Sequence, residues 1–228
     1  MKRVNLMAKK LFTIIVILTI SLIIALAAIL SNQTPTETVV TGVVAGNVFT
    51  YDIKGYSVIN EANATIPESF SELNMTEWYR VTITSVSGPD VSFNTTWRFV
   101  NGTEIENMGN VNVLTGEDNR IFWAIYPANL TLNDLVSPSG SDGLIVNQTE
   151  IKTYKDGPRD TNIITLQTRF VDADDPTLSR TYDDYLYVHF DKVTGMLVEL
   201  RDMKLYTEPQ VILTIDWELK DSNVWAVS

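Results

Sequence analysis

The sequence predicts a mainly β fold: one N-terminal transmembrane helix, then a large curled antiparallel β-meander, half-barrel or barrel-like, with one or two short helices. Three observations predict it. An apolar run near the N-terminus is long enough to cross a bilayer. From about Gly46 onward apolar and polar residues alternate with a period of two, which in an extended chain sends successive side chains to opposite faces. Short turn signals separate these stretches at hairpin spacing, and helical periodicity is scarce.

Residues 1–10 form a basic cytoplasmic tail carrying Lys2, Arg3, Lys9 and Lys10. Leu11 to Leu30 (LFTIIVILTISLIIALAAIL) holds no charge over twenty positions, which as a helix is about 30 Å long. The basic tail precedes it and the first later charge is Glu37, so the positive-inside rule exports everything beyond. Ala25-Leu26-Ala27 supplies a rival reading, a signal-peptide cleavage site. The apolar run exceeds the roughly 7–15 residues of such signals, so a retained signal anchor in the cell membrane is favoured. Residues 31–45, polar, Thr-rich and containing Pro35, read as a stalk, and 46–228 as the extracytoplasmic domain.

Within that domain strands are expected near 47–58, 78–87, 90–100, 103–113, 144–155, 161–171, 182–191, 196–206 and 209–220. Val91, Phe93, Thr95, Trp97 and Phe99 alternate with Ser92, Asn94, Thr96 and Arg98; Val211, Leu213, Ile215, Trp217 and Leu219 repeat the pattern. Ser87-Gly88-Pro89-Asp90 marks one hairpin turn, Asn101-Gly102 has a type I′ signature, and Asp191–Gly195 fits a longer loop with Gly195 left-handed. Successive hairpins imply a meander. Pro67–Leu73 and Leu132–Val136 are the helical patches, placed where they would plug a concave face.

Composition removes several functions. Beyond the tail, thirteen basic residues face 28 acidic ones, a net charge of −15 that repels phosphate backbones and disfavours nucleic acid. There is no cysteine, hence no disulfide, thiolate metal site or lipid attachment through sulfur. No sequence signature implies a cofactor. Seven N-x-Thr sequons, at Asn32, Asn63, Asn74, Asn94, Asn101, Asn129 and Asn147, exceed the roughly three expected by chance and are glycosylation candidates.

GNVFTYDIKG, YRVTITSVSGPDVSFNTTWRFVNGTE and FDKVTGMLVEL resemble segments of uncharacterised archaeal proteins with a membrane anchor and an extracytoplasmic β domain. The resemblance covers most of the exported part. It implies the location, and a similarity to lipoprotein-carrier half-barrels of the LolA/LppX type. It carries no catalytic residue.

Four features are candidates for a site. Asp172, Asp174 and Asp175 lie in an acidic stretch that could ligate calcium, although Thr177 stands where an EF-hand loop needs Gly, and a solvated turn is favoured. His189, the only histidine, shares a strand face with Tyr185 and Tyr187 and reads as a rim residue, with no G-x-S-x-G elbow to serve. Carboxylate pairs for glycoside hydrolysis are too numerous to choose among. Finally, Ile121–Tyr126 is apolar on both faces of an expected strand, so it is buried or lines an apolar cavity through Phe122, Trp123 and Tyr126. The leading expectation is a non-enzymatic extracytoplasmic binding or scaffold module whose partners are the membrane and another exported protein. The alternative is a half-barrel carrier or sensor of an apolar ligand, and the third an anchored hydrolase.

Overall fold

The computed structural model describes residues 40–60, 66, 70, 72–172 and 180–227. The basic tail, Leu11–Leu30, residues 31–39 of the stalk (Asn32 among them), Asn63, Asp174 and Asp175 lie outside these residues, as does most of Pro67–Leu73. Among the described residues no helix is long and apolar enough to cross a membrane.

Nine strands form one antiparallel sheet: β1 (Val48–Ile59), β2 (Thr76–Ser87), β3 (Asp90–Phe99), β4 (Glu104–Asn112), β5 (Gln148–Tyr154), β6 (Gly157–Val171), β7 (Thr181–Asp191), β8 (Leu197–Tyr206) and β9 (Val211–Ser222). Alternation located them to within a few residues, because each strand keeps one face on a core. The order across the sheet is β4-β3-β2-β1-β9-β8-β7-β6-β5. This corrects the single meander. Two meanders, β1–β4 and β5–β9, are joined through the first and last strands, leaving β4 and β5 as opposite edges. The sheet is therefore open, not a closed barrel. Period-two patterning reports which residues face the core and is silent on which strands are neighbours.

The β4–β5 link is not a hairpin. Residues 113–147 cross the inner face of the sheet. Ile125 bridges to Met196, the Tyr126 N–H donates to the Gly195 carbonyl at 2.9 Å, and the Asn162 amide donates to the Leu130 carbonyl at 2.8 Å. Ile121–Tyr126 is thus not a strand, and Leu132–Val136 is not helical. Asn133 has φ 70°, and Asp134 Oδ2 accepts from the Thr131 N–H and hydroxyl, making a tight turn where a helix was expected. In the other expected helical patch, Pro67–Leu73, the described residues Phe70 and Glu72 are helical, and the 3₁₀ turn Leu73–Met75 follows them. The Asn101-Gly102 turn also differs from expectation. Only Gly102 has positive φ (82°), whereas type I′ needs it at both central positions.

The core lies between the crossover and the inner face. Phe49, Tyr51 and Ile53 of β1, Val81 and Ile83 of β2, Phe93 of β3 and Phe190 of β7 are all buried there. Phe122 of the crossover packs against Tyr51, Tyr79, Phe93 and Trp217, with ring centroids 5.8, 6.3, 6.0 and 6.2 Å away. Bulges at Thr50/Tyr51, Ile83/Ser85 and His189/Phe190 add twist and curl the sheet around this plug. Gly109 is glycine because it faces the Phe93 ring across the β3–β4 pair, where a Cβ would sit 2.1 Å from Cε2. The compact unit begins at Val39, and Val43, assigned by composition to the stalk, is buried.

At one end of the sheet two strands part company. β1 pairs with β2 over four residue pairs only, Val48–Tyr51, but with β9 along eleven. Beyond Tyr51 its free edge is occupied by a side chain: Asn74 accepts from the Gly55 N–H and donates to the Gly55 carbonyl, both at 2.9 Å. The carboxamide imitates a strand partner. The splay between β1–β9 and β2–β3 opens a space that the crossover does not fill.

Candidate functional site: a groove on the inner face

The crossover covers only the end of the inner face near the Asp191–Gly195 turn. Toward the Tyr182–Tyr206 end the face stays open as two adjoining cavities. The first, about 340 Å³, has Arg120, Ile121, Phe122, Trp123 and Ala124 of the crossover as its roof. Its floor is Asp184 and Leu186 of β7, Leu197, Leu200 and Asp202 of β8, and Ile215 and Trp217 of β9. The second, about 600 Å³, occupies the splay, between Phe70, Glu72, Leu73, Trp97, Phe99 and Ile105 on one side and Lys204, Tyr206 and Leu213 on the other. Asp202 and Ile215 line both, so the two are lobes of one groove.

Strand parity explains the lining. Residues 184 and 186, 200 to 206 at even positions, and 213 to 217 at odd positions are the inner-face continuation of the alternation that buries Val188, Leu200 and Leu219. Walls of Trp97, Phe99, Trp217, Leu186 and Ile215 present apolar surface to solvent, the usual composition of a ligand cleft. Beyond the groove an aromatic ladder runs across three strands, Phe170–Tyr182 at 5.5 Å and Tyr182–Tyr206 at 4.9 Å, both stacked.

Where the lobes meet, the floor is polar. Lys204 Nζ lies 3.1 Å from Asp202 Oδ2 and 3.9 Å from Asp184 Oδ2. Burial, then the hydrogen bond and charge of Asp202, push the Asp184 carboxyl up to about 6 against the opposing pull of Lys204. The Lys204 ammonium is disfavoured by burial, yet Asp202 and Asp184 hold it above its ordinary range. The buried Oδ1 atoms of Asp184 and Asp202 have no hydrogen-bond partner. Sequence reasoning passed over this trio. Asp184 is far from Asp202 and Lys204 in sequence, and only pairing of β7 with β8 brings them together.

The sequence candidates fall as follows. Phe122 and Trp123 line the first lobe, Phe122 buried and Trp123 41% exposed. Tyr126 does not reach it; it is buried against Phe190, centroids 4.5 Å apart. Asp172 is not a free calcium ligand, since its carboxylate is 2.5 Å from the Arg180 guanidinium, across the mouth of the β6–β7 hairpin. Among the described residues no group of three or more acidic, His or Cys side chains is set to hold a metal. His189 lies on the opposite face, its Nδ1 3.0 Å from Glu150 Oε1. Asn74, Asn94, Asn101, Asn129 and Asn147 are all exposed, although the Asn74 carboxamide is already committed to Gly55.

The opposite face carries the charges. Arg201 makes a bidentate pair with Asp216 (2.8 and 2.8 Å), Arg98 joins Glu77 and Glu104, and Lys152 contacts Glu199. Pairs this exposed add solubility more than stability. Deeper, at the closed end, Asp191 is fully buried and satisfied by bidentate Arg159 (2.7 and 3.0 Å) and by the Thr194 N–H and hydroxyl. Every carboxylate oxygen there has a structural partner, and the Arg159 guanidinium in turn covers the Trp225 ring at 4.2 Å. Asp191 therefore locks the β7–β8 turn and offers nothing to a ligand. No family model and no curated protein sequence matches the chain.

Proposed function

We propose that the chain is a non-enzymatic, membrane-anchored extracytoplasmic module that takes an apolar ligand into the groove, in the manner of a half-barrel carrier or sensor. The observation that carries this is the unfilled, aromatic-walled half of the inner face. A scaffold that met its partner only on its outer surface would gain nothing from leaving Trp97, Phe99 and Trp217 beside open space, since filling that space stabilises. The charge-free run Leu11–Leu30 and the basic residues before it support the anchor and its direction. The resemblance to half-barrel carriers points to the same class of ligand.

The paired aspartates favour a hydrolase less than they first suggest. Glycosidases hold their carboxyls roughly 5–9.5 Å apart so that water or a sugar fits between them. Asp184 and Asp202 both lie against Lys204, at 3.9 and 3.1 Å, and the ammonium neutralises the charge a general base would need.

The test uses the full chain in phosphatidylcholine nanodiscs and 8-bromo-1-octanol, whose bromine quenches nearby tryptophan emission. Saturable quenching above that of empty nanodiscs is expected, because Trp97, Trp123 and Trp217 line the groove. Ile215→Trp, which fills the junction of the lobes, should abolish saturation while leaving a cooperative melt. Non-saturating quenching of the wild type, or saturation unaffected by Ile215→Trp, would overturn the proposal.

A further inference from the structure

We infer that the groove selects an organic cation: an amphiphile with one ammonium-type centre, seated at Asp184 and Asp202, and an apolar body in the adjoining lobes. This deepens the binding reading above and rests on it. Apolar walls alone would accept any oily molecule. The polar trio at the junction of the lobes sets a charge requirement on top of that.

Two carboxylates and one ammonium meet at the groove floor, which carries a net charge of −1 when both aspartates are ionised. Lys204 stands 3.1 Å from Asp202 but 3.9 Å from Asp184, so Asp184 is the less completely neutralised carboxyl. Its Oδ1 is buried with no hydrogen-bond partner. A cation arriving there supplies the missing counter-charge in a half-buried setting, where such a contact is stronger than in open water. An anionic head would meet the same two carboxylates as repulsion. The long-range field agrees, since residues beyond the tail carry a net −15.

Other charged groups near the floor do not reverse this. Arg120 lines the first lobe and Glu72 the second, both exposed, so their opposite charges leave the net charge of the lining unchanged. Tyr182 and Tyr206 are the next inner-face residues on β7 and β8, and burial raises the Tyr206 hydroxyl above its ordinary range. Because Asp184 holds a proton at acid pH, cation binding must displace it below about pH 6, and affinity should rise with pH through that range.

Octylammonium, 1-octanol and octanoate share a chain and differ in head charge, so they separate the two proposals. Each is titrated against 8-bromo-1-octanol quenching of the full chain in phosphatidylcholine nanodiscs at pH 8. Octylammonium is expected to bind about tenfold tighter than 1-octanol, and octanoate about tenfold weaker. Between pH 8 and pH 5 the preference for octylammonium over 1-octanol should shrink severalfold, while 1-octanol itself is unchanged. Asp184→Asn and, separately, Asp202→Asn should remove most of the preference and keep 1-octanol binding, which also shows that the groove is folded. If 1-octanol and octylammonium bind equally, or octanoate binds best, the cation proposal is wrong and the apolar-ligand reading stands. If none of the three competes with the bromo-alcohol, both fall.

Discussion

Asp184 is ionised at a cost. Folded, its carboxyl titrates near 6 because it is half-enclosed and beside Asp202; unfolded, an aspartate titrates near 3.9. Folding therefore takes up a proton between those values. The stability tied to this group is fully present below about pH 4 and is lost as pH rises through about 6. The full shift would be worth close to 3 kcal/mol, but the groove is partly open to solvent, so about 1 kcal/mol is the expected size. Asp184→Asn cannot ionise. It should exceed the wild type by about 1 kcal/mol in urea unfolding at pH 8 and match it at pH 4; an equal gap at both pH values would show that charge is not the cause. Phe122 and Trp123 give the other residue-scale lesson. Adjacent and equally apolar in the sequence, they separate in the structure, one into the core and one to the roof of a cavity. Apolar character was legible there; direction was not, because the segment is neither strand nor helix and has no period to follow.

At the scale of elements, the strands were legible and their order was not. Alternation located all nine, and the Gly195 turn took the left-handed form its sequence called for, φ 72°. What escaped was the connection 113–147, which crosses the inner face where a hairpin in a single meander was expected. The groove was hidden for the same reason, since it exists only where this crossover stops and where β2 leaves β1. Asn74 holds that second boundary. Asn74→Ala would leave both the Gly55 N–H and carbonyl without partners, for an expected loss of about 1–2 kcal/mol. Amide exchange at Gly55 should quicken more than at Phe49, which lies in the fully paired stretch. Unchanged exchange at Gly55 would mean that another group closes this edge.

For the molecule as a whole, the sequence marked where the stalk begins more clearly than where it ends. Val43 is buried, the Ala128 N–H donates to the Val40 carbonyl at 2.8 Å, and Gly42 packs so closely on Val193 and Thr194 that no Cβ fits. Polar composition around these residues disguised a segment that folds with the sheet. A chain starting at Val40 should melt cooperatively without reductant dependence. One starting at Gly46 should melt several degrees lower, since it forfeits Val43, worth about 1.5–3 kcal/mol in burial alone. Equal melting temperatures would return residues 40–45 to the stalk.

The joining of the first strand to the last has a consequence in time. A growing chain presents β1 at the outset, with a partner along four residue pairs once β2 appears. Its longer pairing waits for Val211–Ser222, the last strand to be synthesised. Until then two half-sheets exist with β1 and β8 exposed as raw edges, and the floor of the groove lacks Ile215 and Trp217. Late closure of so distant a contact is slow by nature. An incomplete chain is thus left without a finished groove, and premature termination anywhere before Val211 removes two of its floor residues outright.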